Sequence, residues 1–211
     1  MRNIKALFIL FTLLFVSCLS PNQKLVKNSG GKKGIFAIIT TEKGSVIAKL
    51  EYEKAPLTVA NFIGLAQGII PNDVKKSGEP FYDGLKFYKV FKGYMVITGC
   101  PKNDGTGHPG YWFMDEFHPD LKHDSPGVLS MQNSGENKNG SQFIITQRAS
   151  IVLDNKNPVF GKVVSGVDVV KEIQQGEIIK KIEIVKIGRK AMAFDPLKVF
   201  AKNGFDKMIK K

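Results

Sequence analysis

The run from Ser141 to Thr146 alternates in the manner of a strand, with Gln142, Ile144 and Thr146 on one side and Phe143 and Ile145 on the other. Phe143 and Ile145 suit a core. Gln142, Ile144 and Thr146 then share the opposite face, where an amide stands beside an apolar side chain. Side chains capable of harder chemistry are few. Cys100 is a lone thiol once Cys18 is set aside, and no nucleophile motif surrounds it, so a structural role is expected. His108, His118 and His123 fall in one loop stretch, but their spacing fits no common metal site. No metal and no cofactor are expected.

The elements that must hold this face are short and numerous. Ile35 to Thr40 and Ser45 to Tyr52 read as a hairpin turning at Glu42-Lys43-Gly44. Pro56 opens a helix whose Val59, Phe62, Ile63 and Ala66 form one apolar stripe, with Gly68 just past its end. Further strands are expected at 86–91, 94–98, 127–132, 141–146 and 159–164. Ser165-Gly166-Val167-Asp168 has the Ser-x-x-Asp form of a capping box and should open a second helix ending at Gly176, before a closing strand from Ile178 to Ile187. Many short strands with two helices imply a closed antiparallel barrel.

Six stretches stand out: Ala55-Pro56-Leu57-Thr58-Val59-Ala60-Asn61-Phe62, Phe81-Tyr82-Asp83-Gly84-Leu85-Lys86-Phe87, Asp104-Gly105-Thr106-Gly107, Pro126-Gly127-Val128-Leu129-Ser130-Met131, Asn139-Gly140-Ser141-Gln142-Phe143 and Val159-Phe160-Gly161-Lys162-Val163. They resemble the cyclophilin family of peptidyl-prolyl cis-trans isomerases. Each alone is a weak signal; their shared order and spacing across residues 35–188 is specific. The resemblance implies a mainly β fold, a closed eight-stranded antiparallel β-barrel capped by two α-helices. It also implies a groove for Pro-containing polypeptide segments. An X-Pro bond rotates against a barrier of about 18–20 kcal/mol. A catalyst needs an apolar pocket for the proline and hydrogen bonds that favour the twisted amide, and no nucleophile.

The resemblance also assigns the groove. Lys89 stands where the family has its catalytic Arg, a point charge in place of a planar fork of donors. Ile97 stands where a Gln supports that Arg. Tyr94 takes the place of a pocket Phe, Met95 matches the pocket Met, and Ile144 replaces an aromatic wall. Val152 stands for a Trp, Leu153 matches a pocket Leu, and Asn157 stands for a His. Gln142 matches the groove Gln, and Asn133 the Asn whose backbone binds substrate. Lys89, Gln142 and Asn133 are therefore the expected catalytic residues. Tyr94, Met95, Ile97, Ile144, Val152, Leu153 and Asn157 are the expected pocket. With one preorganised donor changed, weak turnover is expected, losses of this kind being about 10²–10³ in rate. The alternative is a degenerate cyclophilin that binds Pro-containing segments without turnover.

The first residues bear on location. Arg2 and Lys5 precede an apolar run, Ala6 to Val16, and then Ser17 and Cys18. This is secretory-signal architecture. The run is shorter than the roughly 20 residues of a membrane span. Phe15-Val16-Ser17-Cys18 resembles the lipobox of bacterial lipoproteins, which implies cleavage before Cys18 and its acylation; a plain signal peptide cut near Ser20 is the other reading. The expected organisation is 1–17 signal peptide, 18–33 flexible tether, 34–188 cyclophilin-like domain and 189–211 basic extension. The extension reads either as an amphipathic helix on the domain or a membrane, or as a frayed tail. The expected location is the cell envelope, lipid-anchored outside the cytoplasm. The net charge of +12 comes from scattered Lys without a nucleic-acid motif, so no nucleic-acid partner is expected. A basic face on anionic lipid or glycan is a further reading. A monomer is expected.

Overall fold

The computed structural model describes residues 19–203 and 209–210. Cys18 and the signal-like segment before it lie outside the described residues.

β1 (Gly34–Thr40) and β2 (Ser45–Leu50) form the expected hairpin, with Thr40 opposite Ser45 and Gly44 at φ +139° in the turn. Ile35, Ala37, Ile39, Val46, Ala48 and Leu50 point into the main core. Phe36, Ile38 and Ile47 point outward, yet they are buried too. α1 (Pro21–Asn28) covers them, seating Val26 among them. Residues 21–28 are thus a docked helix where slack tether was expected.

α2 (Pro56–Ala66) presents Val59, Phe62, Ile63 and Ala66 to the core. Its N-cap, Ala55, offers no side-chain acceptor. A distant carboxylate replaces it: Glu116 accepts from Leu57 N at 3.1 Å and from Thr58 N and Oγ1 at 2.8 and 2.9 Å. The far side of α2 is buried as well, because the chain after residue 188 folds back as α4 (Arg189–Ala193) and α5 (Pro196–Asn203), with Ala191 and Phe200 in the core. Of the two readings of the extension, the helix on the domain is the one observed over 189–203.

The remaining strands are β3 (Lys89–Phe91), β4 (Met95–Thr98), β5 (Tyr111–Trp112), β6 (Val128–Asn133), β7 (Asn139–Thr146), β8 (Val159–Ser165), β9 (Lys181–Ile187) and β10 (Ile209–Lys210), the last paired with β5. α3 (Val167–Glu172) buries Val170. Eight strands make one antiparallel sheet in the order β3-β4-β7-β6-β8-β2-β1-β9. Its two edge strands are not laddered to each other. The gap is bridged just outside them, where Gly84 N and Ile179 N donate to Ile179 O and Leu85 O, and Phe87 N to Glu177 O, all at 2.8 Å. The fold is therefore mainly β and barrel-like, closed by backbone bonds rather than by a full strand pair.

Ser165 departs from expectation. It ends β8, and the N-cap of α3 is Gly166 at φ +88° with no side-chain cap. α3 stops at Glu172, short of Gly176.

Candidate active site

β4 and β7 pair with Met95 opposite Thr146 and Ile97 opposite Ile144, while β3 sets Lys89 opposite Ile97. Cross-strand partners share a face. The inner face carries Val96, Phe143 and Ile145 into the core. The outer face gathers Met95, Ile97 and Ile144 into a separate apolar cluster, flanked by Tyr88, Tyr94 and Leu153. Five of the expected pocket residues therefore meet in one patch. Val152 does not pack there: the 3₁₀ turn Ile151–Leu153 leaves it 64% exposed beside Ile151 at 69%.

A polar hollow of about 350 Å³ adjoins the patch and is lined by Gln142, Asn133, Gln132, Tyr88, His108 and Trp112 among others. Gln142 is held on both ends of its amide. Its Nε2 donates to Gly105 O at 3.0 Å and Gly107 O at 2.7 Å, and its Oε1 accepts from Tyr88 Oη at 2.5 Å. Two carbonyls on one end and a hydroxyl on the other fix the amide's orientation. Burial pushes the Tyr88 phenol up, which keeps it a donor. Gly105 and Gly107 are anchored in turn, since their N–H groups both donate to Cys100 Sγ at 3.2 Å. Cys100 is fully buried and organises the loop that holds Gln142.

Lys89 lies on the groove face and is exposed. Its Nζ sits 4.9 Å from the Phe91 ring centroid, and it makes no hydrogen bond or ion pair among the described residues. The Phe91 and Tyr94 rings are 6.4 Å apart, and the Arg148 guanidinium lies 4.8 Å from the centroid of Tyr94. Two cations therefore flank an aromatic pair at the rim of the apolar patch. Ile97 is buried and has no donor to offer a neighbour.

Asn133 and Asn157 do their side-chain work internally. Asn133 Nδ2 donates to Lys156 O at 2.7 Å and Asn139 Oδ1 at 3.3 Å, and Asn157 Nδ2 donates to Met131 O at 2.9 Å. Both residues also line a second hollow of about 710 Å³ next to the first. The histidines are dispersed. His108 Nδ1 accepts from Gly110 N and stacks on Trp112, His118 Nδ1 accepts from Asp120 N, and buried His123 sits 2.8 Å from Asp154. Among the described residues no three His, Cys, Asp or Glu side chains gather as metal ligands.

Tyr88, Cys100 and Arg148 were not assigned to the groove from sequence. Tyr88 had a signal, because Phe87 points inward and its neighbour must point out. Cys100 and Arg148 had none: Arg148 acts on Tyr94, far along the chain, and Cys100 bonds the nearby Gly105 and Gly107, whose carbonyls reach Gln142 only through the fold.

The outer-face apolar patch therefore lies beside an amide-lined hollow on an eight-stranded barrel-like sheet. Residues 35–189 match the family model described as cyclophilin type peptidyl-prolyl cis-trans isomerase/CLD, and the chain belongs to this family. The "Probable peptidyl-prolyl cis-trans isomerase A" of Mycobacterium bovis is 42% identical over 132 residues, which is 61% of this chain and 72% of that protein. The "Peptidyl-prolyl cis-trans isomerase cyp15" of Rhizopus delemar is 43% identical over 150 residues, 70% of this chain but 22% of that much longer protein. A cyclophilin from Cryptosporidium parvum, solved in the presence of the dipeptide Ala-Pro, superposes with a TM-score of 0.61 at 27% identity, covering 73% of this chain and 99% of that one.

Proposed function

We propose that this chain catalyses cis-trans isomerisation of X-Pro bonds in exported polypeptides, weakly, from a lipid anchor at Cys18 in the cell envelope. The observation that carries the reading is the joining of the Met95–Ile97–Ile144 patch to the Gln142 hollow through one residue, Tyr88. Proline stacks on the patch. The flanking peptide backbone runs into the hollow, past the main chain of Asn133.

Gln142 takes part as an acceptor, because both hydrogens of its amide are already committed to the loop. The donor that favours the twisted prolyl amide is Lys89, an exposed ammonium over the Phe91 ring with no hydrogen-bond or ion-pair partner among the described residues. Its stem is flexible, and Ile97 opposite it offers no hydrogen-bonding group to fix the ammonium. Poor preorganisation of this one donor is the physical reason for slow turnover.

The same weakness favours the second reading, a holder of Pro-containing segments that does not turn them over. The two separate on Lys89→Ala. If Lys89 is the donor, cis-trans exchange of a bound proline peptide falls at least about tenfold while peptide affinity changes little. An equal rate in Lys89→Ala and wild type removes Lys89 from the mechanism.

A further inference from the structure

The polar stretch before β1 is part of the folded body. Ser20 and Gln23 form a reciprocal capping box: Gln23 N donates to Ser20 Oγ at 3.2 Å, and Ser20 N donates to Gln23 Oε1 at 3.1 Å. Val26 is fully buried against Phe36, Ile38, Ile47, Val185 and Ile187. Asn22 Nδ2 donates to Glu183 Oε1 at 3.1 Å and Gln23 Nε2 to Lys186 O at 3.3 Å. After the helix the chain passes so close that a Cβ on Gly31 would stand 2.5 Å from Val26 Cγ1. Cys18 lies two residues before Ser20, a link that reaches about 7 Å at most. An anchor at Cys18 therefore leaves no slack.

The sheet order sets the direction of the groove. β2 and β1 stand four places from β4 and β7 in an eight-stranded barrel-like sheet. That is half a circumference, so the outer faces of the two pairs look in opposite directions.

We propose that the face carrying α1 and α4 lies against an anionic phospholipid surface, with the groove turned to the aqueous side. This rests on the reading of Cys18 as a membrane anchor. The surface around the chain's point of exit fits that occupant. Lys24, Lys27, Lys32, Lys33 and Arg189 are exposed and make no ion pair among the described residues. The acidic groups nearby are engaged: Glu183 by Lys181 and Asn22, Glu51 by Lys49, Glu53 by Lys190. Leu25 on α1 is 42% exposed and Met192 on α4 is 64% exposed. Met192 lines one cleft together with Ser20, Asn22 and Gln23, which places it beside the start of α1. Lys33, Arg189 and Lys190 line a second cleft, of about 480 Å³. Cations with two projecting apolar side chains are the chemistry of an interfacial surface.

The test uses the full acylated chain in vesicles of phosphatidylcholine and phosphatidylglycerol with brominated acyl chains, read by tryptophan fluorescence. The chain's single Trp, Trp112, lines the groove hollow and reports that side. Leu25→Trp and Met192→Trp, each in a Trp112→Phe background, report the α1 face. An interfacial side chain sits roughly 5–10 Å below the headgroups, so emission from positions 25 and 192 should fall roughly twofold. Trp112 in the unaltered chain should keep its emission, and quenching at 25 and 192 should be lost in phosphatidylcholine alone. Protein retained on the vesicles with position 25 unquenched, or with Trp112 equally quenched, would overturn the orientation and leave the anchor standing. Protein not retained at all would take down both the anchor and the face. Isomerase activity, measured separately in detergent, is indifferent to either result.

Discussion

Both amide hydrogens of Gln142 are fixed by loop carbonyls whose own N–H groups rest on a sulfur. Cys100, itself fully buried, is thus a positioning residue for the groove. Cys100→Ala leaves the N–H groups of Gly105 and Gly107 without their acceptor, at a cost of about 1–3 kcal/mol. The thermal midpoint should fall by roughly 2–4 °C for each of those kcal/mol. Peptide affinity should fall with it, while Cys100→Ser, which keeps an acceptor, recovers most of both. Unchanged stability in Cys100→Ala would mean the sulfur contacts are incidental. The sequence made Gln142 legible through the in-out alternation of β7, because a strand's period is local. It hid the Cys100 support, because the Gln142 loop contacts span 35 and 37 residues.

At the scale of elements, the strands and α2 were readable from apolar period and turn residues. Their supports were not. α2 has a Pro at its start, as expected, but the groups that satisfy its first N–H bonds come from Glu116, 59 residues past Leu57. Glu116→Ala should cost about 1–2 kcal/mol, seen as a lower urea midpoint with little change in slope; a value near zero would return the cap to solvent. α1 was read as slack because its apolar content is one buried Val26 and an exposed Leu25, too little for a periodic signal.

The loop before β6 carries a pH dependence. Burial lowers the His123 pKa from 6.5, against the opposing pull of Asp154. Burial works against the charge of Asp154, yet the two bonds from His123 outweigh it and hold the carboxyl below its usual 3.8. The unfolded chain then binds more protons than the native one between the folded and unfolded His values. Stability from His123 is complete above about pH 6.5 and declines as pH falls below it. The contribution of Asp154 persists until pH falls below 3.8 toward its folded value. Urea midpoints at pH 8 and pH 5 should differ less in His123→Gln than in wild type. An undiminished difference would place the proton uptake elsewhere.

Over the whole molecule, the fold followed from ordered motifs that any barrel of this family would need. The charge did not resolve itself into a surface until α1 and α4 were placed. On the proposed reading, the patch and the hollow bridged by Tyr88 turn over prolyl bonds. Exchange spectroscopy by NMR on a proline-containing peptide with the full chain tests it most directly. Cis-trans exchange should be faster than the uncatalysed interconversion of tens to hundreds of seconds, with peptide resonances shifting on binding. Shifted resonances with exchange still at the uncatalysed rate would contradict it and make the groove a holder of proline segments.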